Sequence, residues 1–278
     1  MVRIVSDSST LYSVSQAREA GFAISPLSVT IAGKSYREFS EISAQEFVDI
    51  INQGHMPTSS QPALGEVTAL YEEFAGEPIL NIAMADGLSG TYRSAESAAR
   101  LCDNSDDITV INTRTLCGPH RYMVQKCVEM AHAGKTLEEI TAWAEERMDS
   151  AKSFLMPDDF DYLRRGGRLS PLVSQVGKLA HLVPVMTQTD DGCRLTIAGI
   201  RRGYSAAVKY ICEYLKKHEI GAGWRVYISH AATQEKVDLT VKLLTAAVPG
   251  ATLEIVPLSP AFITQGGPNC LAIQYVME

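Results

Sequence analysis

The run Pro78-Ile-Leu-Asn-Ile-Ala-Met-Ala85 is apolar at nearly every position. An apolar run of this kind, without alternation, marks a strand covered on both faces. It restricts the fold more than any other feature of the chain, because such a strand needs helices above and below it. The run is followed at once by "DGLSGTYRSAESAA", which opens a helix. The same handover recurs along the first half. "VRIV" ends at Ser6-Asp7-Ser8, "DITVIN" is another strand, and "RYMVQKCVEMAHAG" is a helix stopped by Gly134. Ser43-Ala-Gln-Glu46 and Thr136-Leu-Glu-Glu139 are capping boxes that start two further helices. Strands alternating with helices predict a parallel sheet in an α/β/α sandwich over residues 1–152.

The second half, 153–278, has a different grain. "VPVMTQTDDGCRLTIAGI" reads as two strands about Asp190-Asp191-Gly192, a hairpin signal. "YSAAVKYICEYLKKH" and "QEKVDLTVKLLTAAV" are helices, while "WRVYISH" and "TLEIVPL" are strands. "PLVSQVGKLAHL" also reads as helical, and "FITQGGPNC" as a glycine-rich turn before a last strand. A hairpin within α/β alternation predicts a second α/β domain with a mixed or antiparallel sheet.

Composition excludes several classes. The 278 residues carry a net charge of -7, unsuited to a phosphate-binding surface for nucleic acid. No run reaches the length of a membrane span, and the amino terminus has no signal-peptide pattern, so a cytoplasmic location is expected. Six cysteines at scattered positions form no Cys-x-x-Cys pair, and no His-Cys spacing suits a metal. Neither a dinucleotide fingerprint nor a phosphate-binding loop is present, so no cofactor is expected.

Chemistry concentrates in small hydroxyl residues. Ser89-Gly90-Thr91 falls where a parallel strand hands over to a helix. Unpaired amides and the helix dipole favour an anion there, at the carboxyl edge where open α/β sheets take their ligands. Thr58-Ser59-Ser60-Gln61-Pro62 precedes another helix of the same half, in what reads as a loop. Two such helix entries could converge on one carboxylate. Ser89 alone is equally an N-cap. A serine hydrolase or acyl-transferase using Ser89 is a rival reading that requires a histidine beside it; a site for another small amphiphilic anion is a third.

Ser6-Asp7-Ser8, Thr58-Ser-Ser-Gln-Pro62, Leu88-Ser-Gly-Thr-Tyr-Arg-Ser-Ala95 and Tyr162-Leu-Arg-Arg-Gly-Gly-Arg-Leu-Ser170 occur in an order and spacing that resemble the DegV family, nearly end to end. The resemblance implies two α/β domains with a lipid tunnel between and beneath them, the carboxyl-terminal domain contributing the acyl-chain tunnel. It implies a non-catalytic protein that binds a long-chain fatty acid and presents it to a separate kinase subunit for acyl-phosphate formation. The carboxylate would meet Ser59, Ser60 and Ser89 with the amides of Gly90 and Thr91. Thr58, Gln265 and Gly266 would lie near the head group, and Arg201 and Arg202 would face the kinase partner.

The chain departs from the family pattern at several places. Gln265 stands where the family has a histidine, and it can neither take a proton nor carry charge. Asn112-Thr113 replaces an Asp-Ser pair, Cys117-Gly-Pro-His-Arg121 replaces a glycine-rich stretch, and Val183-Pro-Val185 lacks a lysine. His120 or Arg121, at a helix start on the ligand-binding edge, is the expected substitute for the lost cationic partner.

Overall fold

The computed structural model describes residues 1–174 and 182–278. The chain forms two compact units. One comprises Met1–Asp149 with Ser259–Ala261, the other Ser150–Leu258 with Phe262–Glu278.

The first unit contains β1 (Arg3–Asp7), α1 (Val14–Glu19), β2 (Ala23–Ser25), β3 (Ser28–Ile31), β4 (Lys34–Arg37), α2 (Ala44–Asn52), β5 (Thr58–Ser60), α3 (Leu64–Glu73), β6 (Ile79–Ala83), α4 (Thr91–Ala99), β7 (Ile108–Asn112), α5 (Cys117–His132) and α6 (Leu137–Met148). Its main sheet has the order β2-β1-β6-β7 and is parallel throughout. β6 is the apolar run of the sequence, and every one of its residues is buried. On one face Val5 and Ile79 pack with Val67 and Tyr71 of α3 and Ala95, Ala98 and Ala99 of α4. The small alanines let α4 approach closely. Asn81 is the one polar residue of β6; its amide donates to Tyr71 Oη at 2.6 Å, so its burial leaves no unmet donor there. The alternate residues Leu80 and Ile82 point to the other face, where α5 and α6 pack on each other and against β1 and β6.

Both capping boxes form. Ser43 and Glu46 exchange hydrogen bonds at the start of α2, and Thr136 and Glu139 do so at α6. A third, Ser13 with Gln16, starts α1.

A second, antiparallel sheet of order β4-β3-β5 stands beside the parallel one. It corrects the reading of Thr58–Pro62 as a loop, because Thr58–Ser60 is strand β5. Three hydroxyl residues carry no apolar alternation, and pairing with β3 supplies the order that their side chains do not. The register is Ser28 with Ser60, Val29 with Ser59 and Thr30 with Thr58.

The second unit contains β8 (Lys152–Met156), α7 (Phe160–Gly166), α8 (Pro171–Ser174), β9 (Leu182–Gln188), β10 (Leu195–Arg202), α9 (Tyr204–Lys217), β11 (Trp224–His230), α10 (Gln234–Ala247), β12 (Thr252–Pro257), most of α11 (Pro260–Gly266) and β13 (Leu271–Met277). The sheet order is β10-β9-β8-β13-β11-β12, with only β11 and β12 parallel, hence mixed. Phe154, Val185, Val226 and Ile273 face α9 and α10 through Val208, Ile211, Leu215 and Leu244. The alternate residues Leu155 and Met186 face Phe160, Leu163 and Val173. The hairpin β9–β10 turns at Gly192, whose φ of 71° suits a residue without a Cβ. Of the segment "PLVSQVGKLAHL", Pro171–Ser174 is helical and Leu182 opens a strand; 175–181 lie outside the described residues. The first five residues of the stretch read as a glycine-rich turn, 262–266, belong instead to helix α11, which the nearby glycines and prolines concealed.

Candidate functional site

Helix α4 starts just beyond the carboxyl end of β6, as the strand-to-helix handover predicts. The connecting loop is tied down on several sides. Met84 N donates to Asp7 Oδ2 at 3.0 Å, Ala85 N to the Thr115 carbonyl at 2.9 Å and Asp86 N to Asn112 Oδ1 at 3.1 Å. Arg93 Nε lies 3.1 Å from both carboxylate oxygens of Asp86, so the acidic residue nearest the helix start is already countered. Ser89 is half-buried; its Oγ lies 2.8 Å from Thr91 Oγ1 and accepts from Thr91 N at 3.3 Å. Gly90 is exposed at the N-cap position, and no side chain bonds across it. An anion arriving there would meet oriented N–H groups and the positive end of the helix.

The second hydroxyl cluster is brought to this point. A Cβ on Gly90 would overlap Gln61 Oε1, so the amide of Gln61 lies directly against the glycine backbone. Strand alternation then separates the candidates of β5. Ser59 pairs with buried Val29 and shares its face, whereas Thr58 and Ser60 are exposed and point the other way. Carried one residue on, the alternation puts Gln61 on the side of Ser59. Gln61 thus meets the Ser89–Thr91 helix entry at Gly90, and Ser59 lies on the Val29 side of β5. Gln61 was not singled out by the sequence, although it sits inside the hydroxyl motif; only the contact with Gly90 marks it.

His120 and Arg121 are committed elsewhere. His120 is fully buried, with Nε2 2.9 Å from the Ile82 carbonyl and Nδ1 2.6 Å from Ser9 Oγ. A carbonyl only accepts, so Nε2 carries the proton and Nδ1 accepts from Ser9. Burial pushes its pKa below the ordinary histidine value. It is a neutral core histidine, not a cation facing Ser89. Arg121 lies with its guanidinium 3.6 Å from the centre of the Tyr12 ring and donates to the Leu11 carbonyl at 3.3 Å. The expected substitution for the cation at position 265 is therefore not made through His120, and the described contacts of Arg121 hold the 10–12 segment. Among the described residues Ser89 has no histidine hydrogen-bond partner; both of its side-chain contacts are to Thr91.

In the second unit two other motifs meet. Gln265 of α11 lies against Gly166, where a Cβ would overlap its Oε1, and a Cβ on Gly267 would come within 2.8 Å of Tyr162. Gly167, with φ 70°, ends α7 in the left-handed conformation, and Arg168 and Arg194 donate to the carbonyls of Gly166 and Gly167. Gly266 is buried against Cys270. Arg201 and Arg202 belong to β10 itself. Arg201 stacks 3.9 Å over Tyr210, and Arg202 is exposed at the strand's end, opposite Leu182. Among the described residues no cluster of three His, Cys, Asp or Glu is arranged to hold a metal, and no helix is long and apolar enough to cross a membrane.

These features define a two-unit α/β protein whose hydroxyl-lined helix entry lies at the carboxyl edge of a parallel sheet. The family model described as "Uncharacterised protein, DegV family" matches residues 1–278. The chain belongs to the DegV family. A DegV domain-containing protein of Staphylococcus aureus (strain N315) is 29% identical over 276 residues, covering 97% of this chain and 96% of its own. A solved DegV family protein from Thermus thermophilus, described for its fatty acid binding, is similar with a TM-score of 0.88 and 25% identity over 100% of this chain and 99% of its own. A DegV lipid binding protein from Thermotoga maritima gives 0.84 and 26% over 99% and 98%.

Proposed function

We propose that this chain binds a long-chain fatty acid without transforming it and receives the carboxylate at the start of α4. The observation that carries the reading is the contact of Gln61 with Gly90, which joins the Thr58–Pro62 and Leu88–Thr91 motifs at one helix entry. In this reading the Ser59 and Ser89 hydroxyls and the amides at the start of α4 would turn to the carboxylate, which accepts several hydrogen bonds. Both described side-chain contacts of Ser89 are to Thr91, which favours carriage over hydrolysis. Binding energy would come mainly from the tail, at about 0.8 kcal/mol per buried CH₂. The hydroxyls would fix the polar end, each charge-assisted bond contributing about 1.5–3 kcal/mol.

In the same reading the protein presents the carboxylate to a separate kinase subunit, which transfers a phosphoryl group from ATP to it. Exposed Arg202, with Arg201 beside it, would face that partner. The similarity to fatty-acid-binding DegV structures supports the ligand class; the kinase step rests on the family resemblance. The double variant Ser59→Ala, Ser89→Ala tests the clamp. Palmitate affinity should fall by about a hundredfold or more while the thermal midpoint stays close to wild type. Unchanged affinity would remove the hydroxyl clamp from the account.

A further inference from the structure

Glu38 follows β4 and has no solvent-accessible surface. Its carboxyl is met by two donors from distant parts of the chain. Ser8 Oγ donates to Oε1, and Ala261 N donates to Oε2 at 2.9 Å. The buried Ser259 hydroxyl lies near the group but makes no hydrogen bond to it. Ser8 in turn accepts from Leu27 N at 2.9 Å, so one relay runs from Leu27 through Ser8 and Glu38 to Ala261. Ala261 is the second residue of α11, where the amide has no partner within the helix. Ser259–Ala261 belongs to the first compact unit although it lies late in the chain. The bond from Ala261 N to Glu38 ties its backbone to the residue after β4.

No Lys, Arg or His among the described residues pairs with this carboxyl; the neighbouring Arg37 is engaged by Glu41 and Glu66. The charged group that faces it is Asp7 of β1, which opposes a second negative charge. Phe39, the next residue, has φ 62°, a left-handed conformation that is costly for a bulky side chain and persists only where packing imposes it. A carboxylate buried without a cation and beside another acid is unfavourable unless it is protonated or reaches water. In agreement, burial pushes the pKa of Glu38 up to about 7.

We propose that Glu38 is a proton-linked clasp on the start of α11: protonated, it keeps Ser259–Ala261 packed, and ionisation favours release of that segment, because opening lets water reach a charge that the closed site leaves uncompensated. α11 continues from this segment to Gln265 and Gly266, the residues that the family resemblance assigns to the head group. The clasp itself does not depend on that assignment. Its readouts need no ligand, so its failure would leave the fatty-acid reading untouched.

The test combines two measurements on the full-length wild-type protein. The Glu38 side-chain carboxyl is followed by carbon NMR from about pH 5 to about pH 9, and the protection factor of the Ala261 amide is measured by hydrogen exchange over the same range. The expected result is a titration step well above the ordinary carboxylate range and Ala261 protection that falls about tenfold between about pH 6 and about pH 9. Glu38→Gln, a neutral side chain of the same shape, should keep protection high and flat with pH. Ser8→Ala removes a donor to the charged form and should move the step to higher pH. A wild-type Glu38 that titrates with ordinary carboxylates, or Ala261 protection independent of pH, would overturn the clasp, and neither result requires a variant to fold.

Discussion

Replacing Glu38 by Gln should make the stability of the protein less dependent on pH, by an amount that follows from the buried site. The carboxyl shifts from an ordinary value of 4.5 to about 7 in the folded protein, chiefly because burial strips it of water. Each unit is worth about 1.4 kcal/mol, so the full difference is about 3 kcal/mol. The sign is set by which state holds the proton more tightly. Here it is the folded state, so Glu38 contributes its full stabilisation below about pH 4.5 and loses it as pH rises through about 7. Between about pH 5 and about pH 8 the loss is about 2–3 kcal/mol. His120 acts in the opposite sense. Its pKa is lowered by burial, so its contribution is present above the ordinary histidine value and is lost as pH falls. The informative quantity is therefore the difference between wild type and Glu38→Gln, in which the histidine term cancels. Urea unfolding of both proteins at the two pH values measures it. The variant should gain on wild type by about 2–3 kcal/mol on going from pH 5 to pH 8. Parallel pH profiles, or a wild type that gains on the variant with rising pH, would refute the reasoning.

Other expectations concern single contacts. His120→Ala removes the partner of Ser9 Oγ and the donor to the Ile82 carbonyl and leaves a cavity; it should cost about 2–4 kcal/mol in denaturant unfolding. Gly90→Ala displaces only the far end of the Gln61 side chain, so it should leave the thermal midpoint nearly unchanged yet weaken palmitate binding in a fluorescence titration. Gly267→Ala meets the Tyr162 ring as well as a φ of 78°, whereas Gly167→Ala, at φ 70°, meets open space; the first should lower the melting temperature more than the second.

Much of the architecture was legible because local chemistry and tertiary packing agree. The fully buried β6 is the unbroken apolar run, the capping boxes at Ser43 and Thr136 sit where helices start, and Asp190-Asp191-Gly192 turns a hairpin. What escaped is what tertiary contacts impose. β5 is three hydroxyl residues made into a strand by Val29 and its neighbours. Nothing in "YREFSE" announces that Glu38 is buried, because its partners Ser8 and Ala261 lie 30 and 223 residues away. His120 reads as a helix-start cation, but the pocket of Ser6, Ser9 and Ile82 that neutralises it is assembled from β1, the turn that follows it and β6. The candidate site divides the same way. Ser89, Gly90 and Thr91 follow from the strand–helix handover, whereas the choice of Ser59 over Ser60 needs the strand register, and Gln61 needs the contact with Gly90.

The central claim, that a fatty acid is the ligand, is tested most directly by extracting the purified protein with organic solvent and analysing the extract by mass spectrometry. Stoichiometric long-chain fatty acid is the result expected of a protein that buries an acyl tail. An empty extract, together with failure to take up added palmitate, would contradict it.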